Sequence, residues 1–166
     1  VTDLSPLKGM PLRVLTLRTQ KLLTDISPLA GMSFERLDLQ DTGVKDIGPL
    51  RGSKITKLEL DITPVEDVSP LAGMPLVSLG LGKTNVTDLS PLRGLKLEVL
   101  AIHECPRVKD TSPLESLPTL KLLWLDFDRD RDTSALRKMK SLETINGKPA
   151  AEFWKEVDEQ QKNKPG

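Results

Sequence analysis

The feature that most constrains this chain is a block that returns at a nearly fixed interval. It reads Asp3-Leu4-Ser5-Pro6-Leu7, then Asp25-Ile26-Ser27-Pro28-Leu29, Asp46-Ile47-Gly48-Pro49-Leu50 and Asp67-Val68-Ser69-Pro70-Leu71. It comes again as Asp88-Leu89-Ser90-Pro91-Leu92 and Asp110-Thr111-Ser112-Pro113-Leu114, then fades into Asp132-Thr133-Ser134-Ala135-Leu136. The aspartates step by 22, 21, 21, 21, 22 and 22 residues. Self-similarity at that period means one supersecondary unit stacked on copies of itself, so the chain reads as a solenoid and as one continuous domain.

Between the blocks lies a second pattern, Leu-x-x-Leu-x-Leu. It occurs at Leu12/Leu15/Leu17, Phe34/Leu37/Leu39, Ile55/Leu58/Leu60, Leu76/Leu79/Leu81, Leu97/Leu100/Ile102 and Leu120/Leu123/Leu125. A weaker seventh copy is Leu142/Ile145/Gly147. The alternation at its end predicts a short strand with one buried face. Strands related by simple repetition stack in parallel, one rung per repeat.

Three residues past each last leucine stand Gln20, Thr42, Thr63, Thr84, Cys105 and Asp128. There the chain turns inward, and a buried hydroxyl or thiol is expected to bond the neighbouring rung. In the opening block, Ser is expected to accept from the first free N–H groups while Pro starts a turn of helix. Gly9, Gly31, Gly52, Gly73 and Gly94 then provide a left-handed exit. Only about one turn of helical or 3₁₀ structure fits on that side.

Together these patterns resemble the leucine-rich repeat, over residues 1 to 146. The short period and the Asp-Ile-x-Pro-Leu segment are most similar to its internalin-like subclass. Thr stands where that family usually has Asn, and Cys105 fits the family's alternative residue. The resemblance implies an α/β solenoid with a parallel concave sheet of about six to seven short strands and short turns or 3₁₀ segments on the convex side.

The C-terminal part differs in kind. Asn146-Gly147 marks a turn, and Pro149 can open a helix. Ala150, Phe153, Trp154 and Val157 then recur on one helical face. The expected division is an array over 1–148, a capping helix over 149–161 that covers the last open core, and a frayed tail over 162–166. The passage from Ile145 to Glu156 also looks like the tails of large bacterial leucine-rich-repeat proteins, some of them carrying a serine/threonine kinase. No comparable cap precedes the first repeat. An exposed apolar edge near Val1 and Leu4, or a further upstream repeat, is therefore expected.

Alternation along the strands places the intervening residues on the open concave face. One column reads Val14, Arg36, Lys57, Ser78, Val99, Leu122, and the next Thr16, Asp38, Glu59, Gly80, Ala101, Trp124. The third reads Arg18, Gln40, Asp61, Gly82, His103, Asp126. The first half is a mixed-charge patch, the centre is bare, and the far end carries Val99, Leu122 and Trp124 with Phe127 beside them. Such an apolar cluster with a polar rim has the composition of an interface hot spot. The alternative is that the capping helix covers Trp124 through Trp154. Arg36 and Lys57 beside Asp38 and Glu59 have a plain reading too, as solvent-exposed cross-strand ion pairs.

Composition excludes several functions. The 24 basic and 24 acidic residues cancel, and aromatics are 3% with no Tyr, so nothing recruits nucleic acid. No apolar run reaches the roughly 18 residues of a membrane span. Cys105 has no partner for a disulfide. His103-Glu104-Cys105 imitates a nucleophile or metal set, but Cys105 occupies the inward turn position while His103 points to the concave face, and no second His or Cys exists. Asp126, Asp128 and Asp130 open like a calcium loop, yet Arg131 replaces the needed Gly and Arg137 the bidentate Glu. That stretch reads instead as a self-neutralised surface loop. Asn85-Val86-Thr87 is an accidental glycosylation match.

No catalytic set, cofactor or metal site is expected. The leading expectation is a non-catalytic module that binds a protein or peptide partner on its concave face, as a segment of a larger bacterial protein. The alternatives are a structural spacer that self-associates through its uncapped first repeat, and the regulatory tail of a kinase. The chain begins at Val1 inside a repeat and so looks truncated. Its compartment is left unassigned, with the cytoplasm slightly favoured.

Overall fold

The computed structural model describes residues 1–162. Each leucine motif forms one short strand: β1 (Val14–Thr16), β2 (Arg36–Asp38), β3 (Lys57–Glu59), β4 (Ser78–Gly80), β5 (Val99–Ile102) and β6 (Leu122–Leu125). They pair in chain order, all parallel, with Leu15, Leu37, Leu58, Leu79, Leu100 and Leu123 in one register row. That row is the spine of the core. From Leu37 onward its members are essentially solvent-free. At roughly 1.5–3 kcal/mol for each fully buried aliphatic side chain, repetition of this inward set is what holds the coil together.

The sheet is longer than the six or seven strands expected. β7 (Thr144–Ile145) adds a seventh parallel rung, and β8 (Lys148–Pro149) pairs with it antiparallel. Asn146 and Gly147, both at positive φ, form the tight turn between them, as an Asn-Gly pair in a two-residue hairpin does. The Asn146 Oδ1 also accepts the Leu125 N–H at 2.9 Å. Pro149 thus belongs to the hairpin, and the capping helix α2 runs Ala150–Lys162. The rest of the expected tail, residues 163–166, lies outside the described residues.

On the convex side every Ser-Pro-Leu, and Gly48-Pro49-Leu50, forms a 3₁₀ turn. The capping atoms are not those expected. Ser does not accept; the preceding Asp carboxylate takes the backbone N–H of residue 5, 27, 48, 69, 90 or 112 at 2.7–2.8 Å. Gly48 keeps this bond without any hydroxyl, so Asp is the essential partner. Where Ser is present its hydroxyl donates to the same carboxylate, at 3.0 Å in Ser27 and 2.9 Å in Ser69.

The inward threonines also differ from expectation. Thr42, Thr63 and Thr84 donate to the carbonyls of Leu39, Leu60 and Leu81 in their own rungs, at 2.8, 2.6 and 2.7 Å. Cys105 alone crosses to the neighbouring rung, its thiol donating to the Leu81 carbonyl at 3.0 Å. Gln20 donates its side-chain amide to the Arg18 carbonyl at 3.3 Å and accepts from the Val1 ammonium at 2.5 Å, and Asp128 leaves the pattern to cap the next helix. Just before these positions Thr19, Asp41, Ile62, Lys83 and Glu104 sit at φ between +53° and +60°. No glycine marks these corners in the sequence.

The stretch expected as a surface loop is a helix, α1 (Arg129–Leu136). Asp128 caps it by accepting the Arg131 N–H at 2.9 Å. Asp132 is fully buried and receives the Arg131 guanidinium at 2.6 and 2.8 Å, the Thr111 hydroxyl at 2.9 Å and the Asp128 N–H at 2.7 Å. Arg131 reaches on to the carbonyls of Val108 and Asp126. Asp126, Asp128 and Asp130 stay exposed, while Asp132 with Arg131 forms a joint between the sixth turn and α1.

The apolar edge of the first rung includes Val1 as expected but not Leu4. Leu4 is buried, while Val1, Met10, Val14 and Leu22 are exposed and Leu7, Leu12 and Leu15 are half-buried.

Candidate functional site

Strand alternation and the observed register set the concave face. Val14, Arg36, Lys57, Ser78, Val99 and Leu122 are consecutive partners across the sheet, as are Thr16, Asp38, Glu59, Gly80, Ala101 and Trp124. The backbone bonds beyond the strand ends continue the order through Gln40, Asp61, Gly82 and His103. The columns read from the sequence are therefore the columns of the structure.

Their chemistry is less uniform than the sequence suggested. Asp38, expected in an exposed pair with its neighbours, is only 1% exposed. It lies beneath Arg18 at 3.0 Å and Arg36 at 3.6 Å, and it accepts the Gln40 N–H at 3.2 Å. Arg18 also donates to the Gln40 side chain. The two arginines are thus committed to a common carboxylate, and Asp38 positions them rather than meeting solvent itself.

The centre, expected to be bare, is covered from one side. Gly80 and Gly82 are buried. A Cβ at Gly80 would collide with the carboxylates of both Glu59 and Asp61, and one at Gly82 with the His103 ring and the Asp61 carboxylate. The two glycines therefore form a floor on which three ionisable side chains converge. Asp61 Oδ1 accepts the Gly82 N–H at 2.8 Å. Desolvation, then the nearby Asp61 and Asp38, pushes the Glu59 carboxyl above its ordinary range. Desolvation also raises Asp61, against the Gly82 N–H and His103, which lower it. His103 Nδ1 is enclosed without a hydrogen-bond partner.

Glu59 and Asp61 have no cation within ion-pair distance among the described residues, although Lys57 shares their strand. Lys83 pairs instead with Glu104 at 3.1 Å, and Asp126 accepts the Glu104 N–H at 2.6 Å. No group of three or more His, Cys, Asp or Glu among the described residues is arranged to hold a metal ion.

At the far end Trp124 stays 37% exposed. Of the two placements open to it, cover by Trp154 is not the one adopted. Trp154 packs with Phe127 and Phe153, at centroid distances of 5.9 and 5.2 Å, and the Arg137 guanidinium lies 4.4 Å over its ring. Phe127 meets Phe153 edge-on at 5.0 Å. Phe127, a candidate contact residue, is accordingly a cap-packing residue. Val99 and Leu122 remain half-buried beside Trp124.

The glycine floor was the missed element. The signal was available in Gly80 and Gly82, spaced to share one strand face, but they suggested empty surface rather than room for longer neighbours.

A curved parallel sheet with 3₁₀ turns behind it, built on a repeat of 21 or 22 residues, defines a leucine-rich-repeat solenoid. The chain has the leucine-rich-repeat fold, and its short repeat is similar to that of internalins. Among solved structures it is similar to an internalin (InlF) from Listeria monocytogenes, with a TM-score of 0.71 and 28% identity over 81% of this chain. It spans about half of that protein, 47%. Internalin C2 from the same species gives a TM-score of 0.60 and 28% identity, over 80% of this chain and 69% of its own. No protein-family model and no curated protein matches the sequence. Among the described residues no helix is long and apolar enough to cross a membrane.

Proposed function

We propose that the chain is a non-catalytic recognition module whose concave face binds a protein or peptide. The observation that carries this reading is Trp124, a large aromatic left open on a rigid sheet with Val99 and Leu122 next to it while the cap packs elsewhere. Rigid, half-exposed aromatics with an apolar surround are the usual anchors of protein interfaces. The neighbouring surface that repeats, on the convex side, is consumed by turns and caps. The surface that varies from rung to rung is the concave one.

The test is binding of a peptide selected from a random display library on the whole chain. Trp124→Ala should weaken that peptide at least about tenfold, the size of a modest hot spot. Unchanged affinity, with the fold intact by circular dichroism, would remove the proposal.

A second reading has its own observation. The first rung exposes Val1, Met10 and Val14, and the edge of β1 is unpaired on its outer side. Self-association through that edge is testable by light scattering. An oligomer that dissociates when Met10 and Val14 are replaced by Lys supports a spacer or assembly role. The likeness of residues 145–156 to kinase-linked tails is tested by the sequence upstream of Val1.

A further inference from the structure

Glu59 and Asp61 are neighbouring carboxylates on the concave sheet with no ion pair among the described residues. Asp38 has two arginines, Glu104 has Lys83, and Glu98 has Lys121 at 3.3 Å. Glu59 and Asp61 have none of these. The backbone N–H groups of Gly82 and of Asp61 itself serve the Asp61 carboxylate, and no side chain among the described residues donates to Asp61 or Glu59. The groups facing them leave that imbalance in place. Arg18 and Arg36 act from the preceding rungs but are held by Asp38, Lys57 makes no ion pair with them, and His103 lies across the second glycine.

Two half-buried carboxylates converging without a cation are costly in the free chain, and an arriving donor with positive charge offsets that cost. The surface next to them is shaped for a side chain. Gly80, Ala101 and Trp124 form one row across β4, β5 and β6, small, small, then large. At about 4.8 Å per strand, Trp124 lies roughly 10 Å from Gly80. Val99 and Leu122 border the aromatic end.

We infer that this face recognises a basic protein segment: an arginine or lysine against the Glu59 and Asp61 carboxylates, with an apolar side chain about 10 Å away on Trp124 and Leu122. The inference rests on the concave-face reading and adds the chemistry of the partner. Charge complementarity carries it. The acidic pair supplies the unpaired charge, and the glycine floor seats the two carboxylates side by side.

The experiment pans a random dodecapeptide display library on the full 166-residue chain and measures the enriched peptides by fluorescence anisotropy. Wild type is compared with Glu59→Gln/Asp61→Asn and with Trp124→Ala. The double substitution is isosteric, and Asp61→Asn keeps an oxygen that can accept the Gly82 N–H. Thermal melts check that all three are folded. The expected peptides carry an arginine or lysine and lose at least about tenfold affinity for the double variant. Replacing the peptide's basic residue with norleucine should cost the same on wild type and almost nothing on the double variant. Peptides without a basic residue, or full affinity for the double variant, would overturn the inference. If such peptides still depend on Trp124, the concave-face reading survives alone. Independence from all three side chains, or no enrichment, would sink both.

Discussion

Asp61 Oδ1 accepts the Gly82 N–H at 2.8 Å, so a side chain of the third rung is fastened to the backbone of the fourth. That bond holds a carboxylate against the sheet in a place where burial opposes its charge. Glu59 is raised for the same first reason. A carboxyl raised in the fold stabilises it only when protonated, so this contribution is complete below about pH 4 and is lost as pH rises through the raised values. Wild type should therefore gain stability as pH falls from 7 toward the ordinary carboxylate range near about 4, and Glu59→Gln/Asp61→Asn should be more stable at pH 7 and flatter over that range. Urea unfolding at several pH values measures both. A double variant with the wild-type slope would contradict the assignment.

The Asp-Ser turns respond in the opposite sense. The serine hydroxyl and then the amide lower Asp3 and Asp88; for Asp25, Asp67 and Asp110 the amide comes first and the hydroxyl second. Their contribution is present above about pH 4 and disappears as pH falls through the depressed values. Acid unfolding should thus begin below about pH 4, driven by these turns while Glu59 and Asp61 keep their full contribution. Replacing Ser27 and Ser69 by Ala should move its midpoint upward, since the hydroxyl donors are lost.

Asp132 collects four donors in a fully buried setting. Asp132→Ala leaves the Arg131 guanidinium without its carboxylate and the Thr111 hydroxyl without its main acceptor. The expected loss is about 3–5 kcal/mol, the usual cost of breaking a buried pair from one side. Denaturant unfolding checks it, and a loss under about 1 kcal/mol would show that the joint relaxes.

Ile62 is a β-branched residue at φ 58° on an exposed corner. That conformation is a genuine outlier for its side-chain type. Ile62→Asn should stabilise by about 0.5–1.5 kcal/mol, read as a rise of a few degrees in Tm. Gly43 is the reverse case: a Cβ there would stand 2.6 Å from the Lys21 carbonyl oxygen. Gly43→Ala should cost about 1–3 kcal/mol, because backbone rather than a flexible side chain must give way.

Repetition explains why so much of the scaffold could be read directly. Leu37, Leu58, Leu79 and Leu100 occupy equivalent places, so recognising one rung assigns the rest, and the concave columns follow from alternation. What could not be read is where equivalence breaks. The left-handed corners at Ile62 and Lys83 carry no glycine, since the stacked rungs on either side impose the conformation. Helix α1 replaces the last turn because Asp128 caps it three residues ahead of Arg131 and Asp132, one repeat beyond Thr111, turns inward to that hydroxyl instead of capping a Ser-Pro-Leu turn. The site was half legible for the same reason. Its residues were named correctly as a face, but the burial of Asp38 and the folding of Glu59 over Gly80 depend on neighbouring rungs.

The concave-face claim is tested most directly by alanine methyl chemical shifts during titration with a selected peptide. Ala101 sits on the concave row, whereas Ala30 and Ala72 lie exposed behind the convex turns. A saturating shift at Ala101 with Ala30 and Ala72 unmoved is the predicted result. Shifts at Ala30 and Ala72 with Ala101 unmoved would place binding on the opposite wall and contradict it.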